Sequence, residues 1–419
     1  MLRDLPREVA VLSAVAFCVA LGFGILAPAL PVFARTFDVT ALQASAVISV
    51  FALVRFVTSP LSGAMTDRWG ERGVLATGLA IVSVSSAAAG FSQTYLQLLV
   101  LRGIGGLGSS MFTVSALALL LRVVDSSQRG RAAGAFQGGF LLGGVAGPAV
   151  GGLVVAWSIR APFFVYAITL ATASCVGAIF LARARLSALE EKVSQGEASK
   201  LEHLREALRD RAYRAALSVN LVTGFVVFGL RSSVVPLYVT EGMEKGPSLV
   251  GIGFLIAAGI QAVLLLPAGR MADTEGRRKA LLFGTIGTTI GMLVLTASDI
   301  AVNGWGTNAV AGTAIFLLAM GIQGAAGAFL ASAPAAVVGD IVGGRRGGIV
   351  VATFQMMSDF GAVLGPLVAG LLVDMFDFNW AFAAGSALSV VAVILVVAMP
   401  ETLHRLGRGS SGEPEEASA

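Results

Sequence analysis

LSGAMTDRWGER (Leu61–Arg72) and PAGRMADTEGRR (Pro267–Arg278) are the two stretches on which the fold turns. Aligned, they pair Gly63 with Gly269, Asp67 with Asp273, Gly70 with Gly276 and Arg72 with Arg278. Each follows a long apolar run and ends it with a short charged loop. Two other pairs of stretches repeat in step with them. GILAPALPVF (24–33) matches GLRSSVVPLY (229–238), pairing Gly24 with Gly229 and Pro31 with Pro236. FQGGFLLGGVAGPAVGG (136–152) matches FQMMSDFGAVLGPLVAG (354–370), pairing Gly147 with Gly365, Pro148 with Pro366 and Gly152 with Gly370. A unit of six apolar runs occurring twice in parallel predicts two similar bundles that can rock about a shared central site.

The composition fits a bilayer. The 419 residues are 56% hydrophobic and 13% charged, with a mean hydropathy of +0.84, and a soluble chain of this length needs more charge to cover its surface. The 52 glycines lie inside apolar runs, where they let helices approach closely. Cys18 and Cys175 sit in apolar runs, and His203 and His404 have no ligand neighbours, so neither a disulfide framework nor a metal site is expected. The first apolar run lacks a small-residue cleavage site and reads as a retained helix.

Apolar runs long enough to cross a bilayer fall at 9–33, 42–66, 73–92, 95–121, 130–157 and 161–183, then at 213–239, 248–271, 279–298, 309–337, 347–373 and 379–399. The expected fold is therefore an all-α polytopic membrane protein, with twelve transmembrane helices in two six-helix bundles around a central cavity. Its expected divisions are an amino-terminal bundle (1–183), a linker (184–212), a carboxy-terminal bundle (213–400) and a disordered tail (401–419). Basic residues sort by side. Arg68/Arg72, Arg122/Arg129/Arg131, Arg270/Arg277/Arg278/Lys279 and Arg345/Arg346 share one face with both termini, whereas the other holds Arg35, Arg160 and Lys245 among Asp38, Glu241, Glu244, Asp299, Asp374 and Asp377. The positive-inside rule then puts both termini in the cytoplasm of a multi-pass inner (plasma) membrane protein. This placement, rather than nucleic-acid binding, explains a pI near 9.4.

On these residues the chain resembles the major facilitator superfamily, most of all its twelve-span drug/proton antiporters. Gly63–Arg72 is similar to that family's signature loop G-x-x-x-D-R-x-G-R-R, departing at Glu71; Gly269–Arg278 keeps the basic pair Arg277 and Arg278 but has Thr274 where an Arg would follow the Asp. LRGIGGLG (Leu101–Gly108) resembles the family's Arg-Gly motif, and GGVAGPAVGG (Gly143–Gly152) resembles the motif associated with antiporters. The resemblance implies a conformational switch at Gly63, Asp67, Arg68, Gly70, Arg72, Gly269, Asp273, Gly276, Arg277 and Arg278. In it the Asp67 corner meets the start of the eleventh span, where a helix N-terminus favours a carboxylate; a turn whose charges only fix topology is the plainer reading. Gly143, Gly147 and Gly151 recur every four residues and lay a flat seam beside Pro148 and Gly152, with Gly365 and Pro366 at the positions matching Gly147 and Pro148, which reads as close helix packing.

Ionisable groups at membrane depth are functional candidates. Four stand out: Arg55, Arg102, Arg231 and Asp359. Arg55 is 12 residues from Asp67 and Asp359 is 13 beyond Arg346, or about 18 Å and 20 Å along a helix. The resemblance implies that the second and eleventh spans face each other between the halves, and with equal depth this predicts an Arg55–Asp359 pair that protonation of Asp359 would weaken. The alternatives are that Arg55 snorkels or lines a wet cavity, that Asp359 bonds within its own half, or that Arg231 is its partner. Arg102 is expected to serve coupling or packing against the first span. Arg231 and Arg55 break the repeat, facing Leu26 and Gln261. Gln137, Asn220, Gln261, Gln323 and Gln355 are further candidates for the cavity wall, each equally able to bond a neighbouring helix; Gln43 shares that ambiguity.

The expected function is proton-coupled efflux of a lipophilic drug-like or metabolite substrate by alternating access, with import or export of a small organic anion as the alternative. Three intramembrane arginines against one aspartate disfavour a cationic substrate. The energy source is the transmembrane proton gradient rather than a cofactor, and the partners are the substrate, protons and the lipid bilayer, with no nucleic acid, in a monomer. No enzyme is expected, since no clustered nucleophile, base or metal set is visible, and no Gly-rich loop ending in Lys-Ser/Thr supports ATP drive.

Overall fold

A computed structural model of the chain describes residues 6–124, 129–180, 197–304, 309–342 and 348–403. Among these, eleven helical segments are each long and apolar enough to cross a membrane, and the 29-residue helix Arg129–Trp157 stands between the fourth and fifth of them. The spans in order are Arg7–Leu26 with Ala29–Arg35, Ala41–Trp69, Glu71–Gly90, Tyr95–Val123, Arg129–Trp157 and Ala161–Phe180; then the segment from Arg211 to Gly242, Pro247–Thr274, Arg277–Asp299, Ala309–Leu330 with Ala333–Val342, Gly348–Met375 and Phe378–Ala398. No strand occurs among the described residues.

The same packing pattern occurs twice. In the first half the first span packs on the fifth and sixth, the third on the fourth and sixth, and the second on the fourth. In the second half the seventh packs on the eleventh and twelfth, the ninth on the tenth and twelfth, and the eighth on the tenth. The halves meet through two symmetric contacts, second span on eleventh and fifth on eighth. Glycine makes the tight pairs possible. A Cβ on Gly147 would lie 2.6 Å from the Leu21 carbonyl oxygen, and one on Gly365 would lie 2.5 Å from that of Phe225, so only hydrogen fits at either crossing.

Three spans that the hydropathy pattern reads as continuous are interrupted: the tenth between Leu330 and Ala333, and the first and seventh within the repeated stretch 24–33 and 229–238. The first span breaks between Leu26 and Ala29, at Pro28. The seventh runs as α-helix over Arg211–Val222, widens to π-helix over Thr223–Leu230, resumes as α-helix at Arg231–Leu237 and ends in a second π-turn, Tyr238–Gly242. Freed backbone groups of this kind are tolerated in a bilayer where neighbouring protein covers them.

The linker helix Glu197–Arg209 is amphipathic and packs on the eleventh span and the start of the seventh. Residues 184–196, Arg345 and Arg346, His404 and the tail beyond Leu403 lie outside the described residues. The expected start of the tail, at 401, needs correcting. Glu401 and Thr402 are bonded into the second bundle: Glu401 accepts from the Arg277 and Arg278 amides at 2.8 and 3.1 Å, and the Thr402 hydroxyl donates to Asp340 at 2.9 Å.

Candidate functional site

The end of the molecule that carries Pro6 and Leu403 is termed the terminal end, and its opposite the far end. The second span starts at the far end under a double cap. Thr40 accepts from the Gln43 amide at 3.3 Å while the Gln43 side chain accepts from the Thr40 amide at 3.0 Å. Asp374, from the other half, accepts the Ala41 and Leu42 amides at 2.8 and 2.9 Å. A carboxylate on a helix N-terminus satisfies otherwise orphaned donors and meets the positive end of the dipole.

That clamp sets the register of two antiparallel helices. Arg55 lies 14 residues beyond Ala41 and Asp359 15 residues before Asp374, so both fall about 21–22 Å from the clamp. They meet there as an ion pair between Arg55 Nη2 and Asp359 Oδ1. The side chains stay 31% and 28% exposed, so water screens the pair and it can be undone without stranding a dry charge. On its far-end side, Ala52, Ala362 and Val363 form a small dry cluster against Leu367, and the Ser49 hydroxyl donates to the Val363 carbonyl at 2.8 Å. At the far-end rim Arg35 grips Glu241 with two parallel hydrogen bonds, 2.6 and 2.5 Å.

Among the described residues, the bonds seen between the halves run from Arg55–Asp359 outward to that rim. Towards the terminal end, added Cβ atoms at Gly63, Gly134, Gly138 and Gly269 would meet nothing within 4 Å, so these glycines face open space.

The other two intramembrane arginines stay inside single halves. Arg102 is 1% exposed, stacks on Phe51 with its guanidinium 4.3 Å from the ring centre, and leaves Nε and Nη2 without partners. It packs on the second span, and Phe51 in turn stands 6.0 Å from Phe23 of the first. Arg231 is 8% exposed, lies 5.3 Å from the Phe254 ring centre, and leaves Nε unpartnered. It makes no ion pair with Asp359, which Arg55 holds instead.

The amide candidates separate. The Asn220 amide donates to the Phe354 carbonyl at 2.6 Å and Gln323, 3% exposed, donates to the Thr288 carbonyl at 3.3 Å. Gln323 is thereby removed from the cavity wall and Asn220 is committed to a helix contact. Gln261 packs beside Gly327. Gln137 and Gln355 are exposed, on the fifth and eleventh spans.

The repeated loops share a backbone. Gly70 and Gly276 both take positive φ, +82° and +127°, the region that favours glycine, and each ends one helix and starts the next. Their side chains differ. Asp67 and Arg68 are exposed, and Asp67 has no ion-pair partner among the described residues; Glu71 holds Arg122 at 2.8 Å and Arg72 donates to the Ala178 carbonyl at 2.6 Å. In the second loop Asp273 pairs with Arg277, which also reaches Asp340 at 3.3 Å, and Arg278 donates to the Val397 carbonyl at 2.5 Å. Glu401 caps the helix that starts there. Burial pushes its carboxyl up, but amide donors from Leu403, Arg277, Thr402 and Arg278 outweigh that and hold it below the usual carboxylate range.

Sequence reasoning missed three acids. Asp374 and Asp299 read as loop acids, yet Asp374 clamps the halves, and Asp299 is 2% exposed and accepts the Asn379 amide at 3.2 Å. The one signal for Asp374 is its place at the very end of the eleventh span. Glu401 looked like tail, and only its position two residues after the last helical turn hinted otherwise.

Comparison with known proteins bears on this architecture. The family model described as "Major Facilitator Superfamily" matches residues 12–260 and 231–418. The chain is 22% identical to multidrug resistance protein 2 of Bacillus subtilis, covering 92% of this chain and 93% of that protein. It is 24% identical to the quinolone resistance protein NorA of Staphylococcus aureus (95% and 97%) and 27% identical to multidrug resistance protein MdtG of Proteus mirabilis (87% and 89%). Among solved structures, a bacterial homologue of the human lysosomal transporter Spinster, described as inward-facing and unoccupied, superposes with a TM-score of 0.67 over 94% of each chain at 16% identity.

Proposed function

The chain belongs to the major facilitator superfamily, a multi-pass membrane transporter and not an enzyme, and on that premise we propose that it exports lipophilic drug-like or metabolite molecules in exchange for protons. In this reading the termini are cytoplasmic, the membrane is the plasma membrane, the protein acts as a monomer, and the described state is inward-facing. The two six-helix bundles, divided at the linker, are the rocking bodies. The relatives named for multidrug and quinolone resistance support the substrate class.

The observation that carries the coupling is the Arg55–Asp359 pair, placed at the inner edge of the closed contact and open to water. Protonation of Asp359 removes its charge, releases Arg55 and loosens one link between the halves. Asp374 and Asp67 supply the alternation. They sit at opposite ends of the same helix pair; Asp374 caps the second span while the far end is closed, and Asp67 would cap the eleventh when the terminal end closes. Release of one and engagement of the other biases a two-state equilibrium.

Asp359→Asn in proteoliposomes tests this reading. With a labelled lipophilic drug and an imposed proton gradient, uptake driven by the gradient should fall about tenfold or more, while exchange without a gradient persists. Undiminished gradient-driven uptake would overturn the coupling.

A further inference from the structure

Arg231 shares with Arg102 a buried guanidinium that stacks on a phenylalanine and keeps unpartnered nitrogen. Arg55 has Asp359, but among the described residues Arg231 has no acid, hydroxyl or carbonyl partner; its guanidinium lies over the Phe254 ring, and its Nε is buried without a hydrogen bond. A cation–π contact offsets part of the cost of burying a guanidinium, and leaves its in-plane N–H donors unused. Buried charges of this kind are retained where something else supplies the counter-charge.

Two independent features mark the place. The first is the backbone. Arg231 follows directly on the π-helix Thr223–Leu230, and its match in the first span, Leu26, is the last residue before the break at Pro28. Interrupted helices near the middle of repeat-built transporters, and π-helical turns in general, accompany ligand sites. The second is place: Phe254, on which Arg231 stacks, also lines a narrow apolar crevice between the halves, with Pro28 and Pro148 on one side and Val250 and Gly251 on the other, although Arg231 itself is not part of the wall. Arg102, by contrast, is clamped inside the first bundle by Phe51. The repeat has Leu26 where the second half has Arg231, so packing alone at this position is met by an apolar side chain.

We propose that Arg231 is a substrate-recognition residue and that the preferred substrates are amphiphiles bearing an anionic oxygen group, a carboxylate or its like, held by Arg231 while an apolar ring system lies against Phe254 in the crevice. This deepens the transport reading by naming the charge of the cargo. A planar guanidinium with free donors suits a carboxylate's two oxygens, and an aromatic neighbour suits a ring.

Two probes sharing one apolar body separate the contributions: pyrenebutyrate, with a carboxylate, and pyrenebutanol, without one. Saturable binding to the purified protein in detergent should favour pyrenebutyrate in the unmodified chain. Arg231→Gln should weaken pyrenebutyrate about tenfold and pyrenebutanol less than twofold, with Arg231→Lys recovering part of the loss. Equal affinity of the unmodified protein for both probes, absence of saturable pyrenebutyrate binding, or equal loss for both probes in Arg231→Gln would each overturn the proposal. If Arg231→Gln does not fold, the preference of the unmodified chain between the probes decides alone. Gradient-driven flux is read separately in proteoliposomes, so binding that discriminates without flux would count against proton-coupled export and leave the anionic preference standing.

Discussion

The two loops that reveal the repeat are alike in backbone and opposite in commitment. Gly63–Arg72 and Gly269–Arg278 turn on the same positive-φ glycine, yet the second loop is wired into its own bundle. Arg277 is shared by Asp273 and Asp340, and Glu401 returns from beyond the last span to cap the helix that Arg277 begins. The first loop is tied down at Glu71 and Arg72 and keeps Asp67 exposed, without an ion-pair partner among the described residues. Duplication thus supplied one geometry, and divergence of a few side chains made one copy a brace and left the other an acid free to engage. Glu71, a departure from the family pattern, belongs to this division: it takes up Arg122 and leaves Asp67 as the loop's uncommitted carboxylate.

The difference can be broken by mutation. The largest effect is expected at the brace. Arg277→Met strands Asp340, whose side chain is 10% exposed, and removing one partner of a nearly buried pair costs about 2–4 kcal/mol; thermal unfolding of the purified protein should show it as a lower midpoint. Next comes the uncommitted acid. Asp67→Asn should slow transport about tenfold without moving the unfolding midpoint, whereas Asp273→Asn should do the reverse. Equal flux loss in both variants would erase the distinction. The smallest effect is at the cap: Glu401→Gln should destabilise by about 1 kcal/mol. Because the Glu401 carboxyl is held below its usual range, its contribution is present above the unfolded-state value and lost as pH falls through the folded one. The variant should therefore lose the steeper part of the acid limb in stability measured against pH.

Much of this molecule is legible from its residues. Twelve apolar runs, the sorting of Arg and Lys and three repeated stretches lead to two six-helix bundles, because hydropathy and repeat are properties of the chain itself. Gly143, Gly147 and Gly151 announce the seam with the first span for the same reason: spacing of four along a helix is local. The site is less legible. Depth along a helix puts Arg55 and Asp359 level, yet leaves open which of Arg55 and Arg231 takes the aspartate. Gln323 and Gln137 look equivalent as polar residues in apolar runs, and one is buried on Thr288 while the other is exposed.

What the sequence by itself determined is the scaffold: the spans, their duplication and the depth at which each charge lies, all functions of position along one chain. Tertiary structure alone decided the partners. Arg55 and Asp359 are 304 positions apart, Asp374 and Ala41 333, and Arg277 and Glu401 124. Such contacts depend on how helices are rotated about their axes and on which end of the two bundles is closed. Rotation is set by side-chain packing at glycine seams across the whole bundle, and closure by a balance between two states of one sequence; neither is encoded in any single stretch.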